Sequence, residues 1–256
     1  QNLYKKTKYS SDKLSPSLGL VVKPFGEDLS FYASYVEGLS EGVTVSDMTY
    51  PTATNKGETL APYQTKQYEL GTKYQVGFWL NTLALYQIEK PEAYLDSTNL
   101  EVKDDAETRS RGIEFSTAGQ LTEDLSLMAN LAYIDAEYVK SGTASQVGNT
   151  VIGTPDFTAG LGLDYKIPVV DGMSVNARAS YVSEQYLNTD NSLELPDYTI
   201  LDLGAKYATK IGGVNTTFRA NVNNLTDEKY WSGVFGSNYA ILGAGRTYKL
   251  GVTFDF

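Results

Sequence analysis

The sequence predicts an all-β protein, an antiparallel up-and-down transmembrane β-barrel, on three observations. Apolar and polar residues alternate with period two in about eleven separate segments, as half-buried strands require. The connections between those segments alternate short and long, which puts every long loop at the same end of a meander. The composition favours strands and turns, with 20 Tyr and 23 Gly but only 3 Met in 256 residues. There is no run of about 18 apolar residues, so no helix is available to cross a membrane, but barrel strands need only about 9–11 alternating residues.

In chain order the strands are read at 17–23, 29–36, 66–75, 80–88, 108–119, 125–133, 157–166, 173–181, 199–207, 214–222 and 246–256. Segment 80–88 is ambiguous, because both of its faces are partly apolar. In 125–133, Leu125, Leu127, Ala129, Leu131 and Tyr133 share a face. In 173–181, Met173, Val175, Ala177, Ala179 and Tyr181 oppose Ser174, Asn176, Arg178 and Ser180. In 214–222, Val214, Thr216, Phe218, Ala220 and Val222 oppose Asn215, Thr217, Arg219 and Asn221. The last strand is the cleanest: Tyr248, Leu250, Val252, Phe254 and Phe256 oppose Thr247, Lys249, Gly251, Thr253 and Asp255. Short turns fall at 24–28, 76–79, 120–124, 168–172 and 210–213, and long polar loops at 41–63, 89–107, 139–155, 183–197 and 223–245.

A soluble β-sandwich would alternate in the same way, with its apolar face packed inward. In a membrane barrel the apolar face meets lipid and the polar face, here with Glu69, Lys73, Glu114, Arg178, Asp202, Lys206 and Arg219, lines a wet lumen. Three features favour the barrel. Loop lengths segregate strictly by end. Aromatic residues recur near strand ends (Tyr74, Trp79, Tyr86, Tyr133, Tyr138, Tyr165, Tyr181, Tyr207), as an interfacial girdle would. The apolar faces are rich in Ala and Leu rather than in packed aromatics. An odd strand count is the discordant feature, since bacterial single-chain barrels have an even number.

Composition removes many chemistries. The chain has no Cys and no His. That excludes disulfides, thiolate nucleophiles, Cys-based zinc sites and His-dependent triads, and it removes the usual acid/base group near neutral pH. Lys and Arg number 21 against 31 Asp and Glu, a formal charge of −10 without basic clusters, which argues against a nucleic-acid partner. There is no phosphate-binding or dinucleotide-binding fingerprint. The acidic run 101–107 lacks loop-calcium spacing and reads as a solvated loop. No metal site, catalytic residue or cofactor is expected. The N-terminus, residues 1–5, has neither an initiator Met nor the form of a signal peptide, so the chain is expected to begin after processing or within something larger.

Three stretches resemble the C-terminal half of the barrel of a TonB-dependent outer-membrane receptor of the ferric-siderophore branch. The first is Gln67-Tyr68-Glu69-Leu70-Gly71-Thr72-Lys73-Tyr74 followed by Leu83-Ala84-Leu85-Tyr86-Gln87-Ile88. The second is Arg111-Gly112-Ile113-Glu114-Phe115, then Gly119, Leu121-Thr122 and Leu131-Ala132-Tyr133-Ile134-Asp135-Ala136. The third, the most specific, is Val222-Asn223-Asn224-Leu225-Thr226-Asp227-Glu228-Lys229-Tyr230-Trp231, then Gly245-Arg246-Thr247 and terminal Phe256, with Thr226 where the family usually has Phe. The Asn-rich stretch reads first as turn chemistry at the root of the last long loop, and Gly112 as a point of close backbone approach.

The resemblance implies twenty-two strands and a lumenal plug, so the whole of 1–256 would be the C-terminal part of such a barrel, and eleven strands would be half of it. The plug and the segment contacting the TonB energy-transducing complex would lie outside this sequence. It further implies active transport of ferric siderophores across the outer membrane of a Gram-negative bacterium, with lipid and the barrel-assembly machinery as further partners. Iron would enter only within the transported chelate, and no covalent chemistry would occur. Haem, cobalamin or a glycan is the alternative cargo, and a small barrel or sandwich acting as a binding or adhesion module is the alternative class. Lys249, Gly251, Phe254 and Phe256 resemble the terminal signal read by the assembly machinery, for which strand addition supplies a physical basis. For ligand capture the long loops offer Tyr50, Tyr63, Tyr94, Tyr186, Trp231, Phe235 and Tyr239, since aromatic and cationic side chains suit anionic chelates. Interfacial or loop packing is the competing role for each.

Overall fold

The computed structural model describes residues 12–256; the N-terminal residues 1–5 discussed above lie outside the described residues. Eleven strands form a single antiparallel sheet, with two small hairpins at its loop end. The sheet strands are β1 (Ser17–Val22), β2 (Leu29–Ser40), β3 (Tyr63–Val76), β4 (Trp79–Leu95), β5 (Val102–Gln120), β6 (Leu125–Lys140), β7 (Phe157–Lys166), β8 (Met173–Val182), β11 (Tyr198–Ile211), β12 (Val214–Asn223) and β15 (Thr247–Asp255). The hairpins pair β9 (Gln185–Tyr186) with β10 (Glu194–Leu195), and β13 (Trp231–Gly236) with β14 (Tyr239–Leu242). Each sheet strand lies beside the next sheet strand in the chain, so the wall is an up-and-down meander. Among the described residues β1 pairs only with β2, and β15 only with β12.

Register makes the two faces continuous. One row across the wall is Ala33, Leu70, Leu85, Ile113, Tyr133 and Phe157. A lower row is Ala129, Leu161, Ala179 and Leu201. Among the described residues nothing covers this face: Leu70 is 57% exposed and Val252 50%. That overturns the sandwich alternative, because a second sheet would bury these residues, whereas lipid requires them to be open. The apolar stretch 125–133 on β6 rises about 26 Å along the strand at about 3.3 Å per residue. At a barrel tilt of about 35–45° that covers about 18–21 Å of an apolar band about 25 Å tall.

The apolar face ends abruptly towards the long loops. The next row is Tyr35, Tyr68, Gln87, Arg111 and Asp135, and the one after it is Glu37, Lys66, Glu89, Arg109 and Glu137. In this last row charge alternates strand by strand, the arrangement that favours cross-strand pairing. The Arg109 guanidinium is ion-paired with Glu137, and Arg111 Nε donates to Gln87 Oε1 at 2.8 Å. Charged side chains at this level mark the upper limit of the hydrocarbon layer.

The strand positions were legible, but β2, β6 and β11 run on to Ser40, Lys140 and Ile211, and the loops read at 183–197 and 223–245 carry the two hairpins. Two larger corrections concern 89–107 and the girdle. Segment 89–107 is mostly strand, since β4 and β5 run 17 and 19 residues, well beyond a membrane crossing, and only 96–101 turn. Alternation vanishes there because both faces are wet and β5 is bulged opposite Glu92–Tyr94. The acidic run 101–107 therefore lies mainly on β5 rather than in a loop. In the girdle, Tyr74, Trp79, Tyr133, Tyr165, Tyr181 and Tyr207 occupy the apolar face, but Tyr86 and Tyr138 point to the polar one by register. The ring of Tyr86 lies against Gly112, where a Cβ would come within 2.4 Å of it. Gly112 is thus a close-approach glycine, and what approaches is a side chain.

At the opposite end the turns are tight. Gly212 and Gly213, both at positive φ, join β11 to β12 as a two-residue turn that only glycine-like residues enter without strain. Among the described residues a compact apolar core lies at the loop end, where Val45, Ala53, Leu60 and Val102 cluster with Val43, Tyr50, Ala93 and Leu95.

Candidate functional site

Asparagine side chains organise the loop end by standing in for backbone. Asn55 Oδ1 accepts from Val102 N and its Nδ2 donates to Val102 O, both at 3.0 Å, fastening 41–62 to the β4–β5 hairpin. Asn191 does the same to Thr150, accepting at 2.7 Å and donating at 3.0 Å. Asn188 Oδ1 accepts from Ser192 N and Leu193 N. Asn224, buried at positive φ, donates to Glu228 O and Ala244 O and accepts from Glu228 N. The sequence reading of the Asn223-Asn224 stretch as turn chemistry at the root of the last loop is the observed geometry. Asn55, Asn188 and Asn191 were missed, and their signal was only an Asn in a polar loop.

These bonds, with backbone links from Gly153 N to Tyr186 O and Asn238 N to Leu187 O, join 139–156, 183–197 and 224–246 into one connected surface. Electrostatics is organised locally too. The Asp96 carboxyl is held down to about 2 by Lys103, whose Nζ donates at 2.5 Å, and by the Thr98 N–H. Asp227 is lowered by the Arg246 backbone N–H and by Lys229. Asp156 is raised, first by burial and then by Glu184 and Asp135.

The seven aromatic candidates fall into two groups, with Tyr94 apart. Tyr50 packs on the loop-end core, and burial followed by Glu92 pushes its hydroxyl up. Tyr63, the first residue of β3, lies in the electrostatic neighbourhood of Tyr50, Glu92 and Asp104. Tyr138, which feels Glu92 as well, joins this group and was assigned only to the girdle. Tyr186 on β9 stands opposite Glu194 and is stitched to the β13–β14 hairpin through the links above. That hairpin carries Trp231, Phe235 and Tyr239, the latter two 86% and 69% exposed. Tyr94 fills the space over Gly142, where a Cβ would meet its ring at 1.9 Å, so it acts as a strut.

Below the rim, the polar face holds a hollow of about 490 Å³ lined by Tyr32, Glu69, Lys73, Thr82, Glu114 and Asn130. Tyr32 Oη donates to Glu69 Oε1 at 2.6 Å, and Lys73 Nζ stands 5.5 Å from the Tyr32 ring centre. Two carboxylates and one ammonium facing one hollow suit a cationic group in the lumen.

At the far edge, β15 turns Lys249 and Gly251 to the polar face opposite Asn221 and Arg219, and Phe254 to the apolar face opposite Thr216. The Phe254 and Phe256 rings lie 6.5 Å apart, and Phe256 is fully exposed.

The family profile described as TonB dependent receptor-like, beta-barrel matches residues 2–225. Among characterised relatives, the ferrichrome receptor FcuA of Yersinia enterocolitica is 32% identical over 95% of this chain and 32% of its own length. The probable TonB-dependent siderophore receptor PiuA of Acinetobacter baumannii is 27% identical over 97% of this chain and 35% of its own. The chain thus spans about a third of the length of the relatives it matches. Among solved structures, BauA, the ferric preacinetobactin receptor of Acinetobacter baumannii, superposes with a TM-score of 0.82 at 38% identity, over 94% of this chain and 36% of that one.

Proposed function

Because the chain belongs to the TonB-dependent receptor β-barrel family, whose members sit in the outer membrane of Gram-negative bacteria, we propose that it forms part of the barrel wall of a ferric-siderophore transporter. The observation that carries the reading is the 32% identity to a ferrichrome receptor across 95% of the chain. The two-faced wall supports it. A membrane-embedded apolar face, a polar lumen and a stitched loop surface are the parts a capture-and-passage device needs.

In this account a ferric chelate is captured at the loop end, with Trp231, Phe235, Tyr239 and Tyr186 as one contact group and Tyr50 and Tyr63 as another. Passage inward is driven by the TonB complex acting on parts of the receptor beyond this segment. The wall supplies orientation and charge and no covalent step. Lys249, Gly251, Phe254 and Phe256 serve the barrel-assembly machinery, which reads the strand as it enters the membrane. The test is growth under iron limitation on a panel of ferric siderophores, with the parent gene present, deleted and restored. Loss and recovery of growth on one or more of them is expected; indifference to the deletion on every one overturns the reading.

A further inference from the structure

The charge of this chain is segregated. The loop-end segments 41–62, 90–107, 139–156, 183–197 and 224–246 hold 16 Asp and Glu against 6 Lys and Arg. Their net charge of −10 equals that of the whole chain, so the remaining 15 acidic and 15 basic residues cancel. The excess is spread over two linked groups of segments, 41–62 with 90–107 through Asn55, and 139–156 with 183–197 and 224–246 through Asn191 and the Asn238 N–H, so it is not concentrated at one point.

The lysines of these segments are already paired with acids, and Lys13, which reaches the same end from the start of the sheet, donates to Pro62 O at 3.4 Å. Lys56 pairs with Asp47 at 2.7 Å, Lys90 with Glu92 at 3.4 Å and Lys103 with Asp96 at 2.5 Å. Lys140 pairs with Asp105 at 3.8 Å and Lys229 with Asp227 at 3.0 Å. Arg246 adds its charge beside Asp227. An incoming polyanion therefore meets surplus carboxylate and no lysine of these segments free of an acidic partner. Exposed aromatic faces, Phe235 and Tyr239 foremost, present negative quadrupoles that attract cations and tolerate neutral ligands. This reverses the simple expectation that a chelate receptor offers cationic side chains to an anionic chelate.

Resting on the receptor reading above, we infer that this loop end selects its cargo by charge, admitting neutral or cationic ferric chelates of the hydroxamate class and turning away polyanionic catecholate ones. The chemistry separates the two classes cleanly. Three catecholates bring six negative oxygens to a trivalent iron and leave a trianion. Three hydroxamates neutralise the iron, and a free ammonium on the chain makes the complex a cation. Surface fields of one sign change association rates by about 10 to 1000-fold, and they fade as salt shortens the screening length to less than about 8 Å.

The experiment measures association rates of three ferric complexes with the full-length receptor, at low and high salt: a cyclic trihydroxamate, a linear trihydroxamate bearing a free ammonium, and a tris-catecholate. The cation is expected to associate at least about tenfold faster than the trianion at low salt, with the gap closing at high salt. Glu41→Lys, Asp190→Lys and Glu228→Lys together, all exposed and outside the aromatic groups, are expected to narrow the gap at low salt while the neutral complex is unaffected. Fastest association by the trianion at low salt, or a gap insensitive to salt and to these substitutions, overturns the charge inference and leaves the receptor reading standing. Binding of none of the three overturns the receptor reading and this inference with it.

Discussion

Replacing Leu161 with Arg tests the assignment of faces. Leu161 stands on β7 in the row Ala129, Leu161, Ala179 and Leu201, opposite the middle of the apolar stretch 125–133, and its side chain is 44% exposed with none of the described segments over it. If that face meets hydrocarbon at mid-depth, an Arg there costs about 2–4 kcal/mol, or about 30 to 1000-fold in the folding equilibrium. Phe157 lies two rows nearer the loops, beside Tyr133, and Phe157→Arg is expected to cost about 0–1 kcal/mol for its charge, since interfaces tolerate Arg. Asn176 is exposed on the opposite face between Asp164 and Gly204, and Asn176→Arg is expected to shift stability by no more than about 0.5 kcal/mol. The assay is guanidinium-dependent folding of the full-length receptor into vesicles, read by heat-modifiable migration. A cost for Asn176→Arg equal to or greater than that for Leu161→Arg refutes the assignment of faces.

Three further outcomes follow from the loop end. Asn191→Ala removes both bonds to Thr150 and leaves a part-buried N–H without its acceptor, so a cost of about 1–3 kcal/mol is expected. Amide exchange at Thr150 should accelerate, and unchanged protection there would show that Asn191 does not join the loops. Gly142→Ala drives a Cβ into the Tyr94 ring and is expected to cost about 1–3 kcal/mol, relieved when Tyr94 is also Ala; an equal cost in both backgrounds would contradict the strut role. Asp96, depressed to about 2 from its ordinary 3.8 chiefly by Lys103, adds stability that is present above the unfolded value and is lost as pH falls through about 2. A carboxylate titration by isotope-edited spectroscopy checks this: a midpoint near 3.8 would contradict the pairing, and Lys103→Met is expected to move the midpoint up.

How much of this was legible in the sequence depended on where water and lipid lie. Where one face meets lipid and the other a polar lumen, alternation is strict, and β7 runs Phe157–Lys166 as the 157–166 pattern predicts. Above the membrane both faces are wet, the period is lost, and β4 and β5 were cut short of Leu95 and Val102. Tyr86 and Tyr138 were misplaced for a related reason, since an aromatic near a strand end does not declare its face until register is known. In the loops, aromatic identity suggested ligand contact, yet Tyr94 spends its ring on Gly142. The residues that shape the surface, Asn55, Asn188 and Asn191, left no pattern, because a side chain that replaces a backbone partner 40 or more residues away in sequence, as Asn55 and Asn191 do, is invisible to local spacing.

The central claim is that this wall belongs to an energised importer of ferric siderophores. The most direct measurement is uptake of radiolabelled iron, supplied as individual chelates, by cells carrying the full-length receptor, with the TonB complex intact and inactivated. The account predicts accumulation of at least one chelate that depends on the receptor and stops when the TonB complex is inactivated, while surface binding persists. Accumulation of every chelate at the same rate with and without the receptor, or uptake indifferent to the TonB complex, would contradict it.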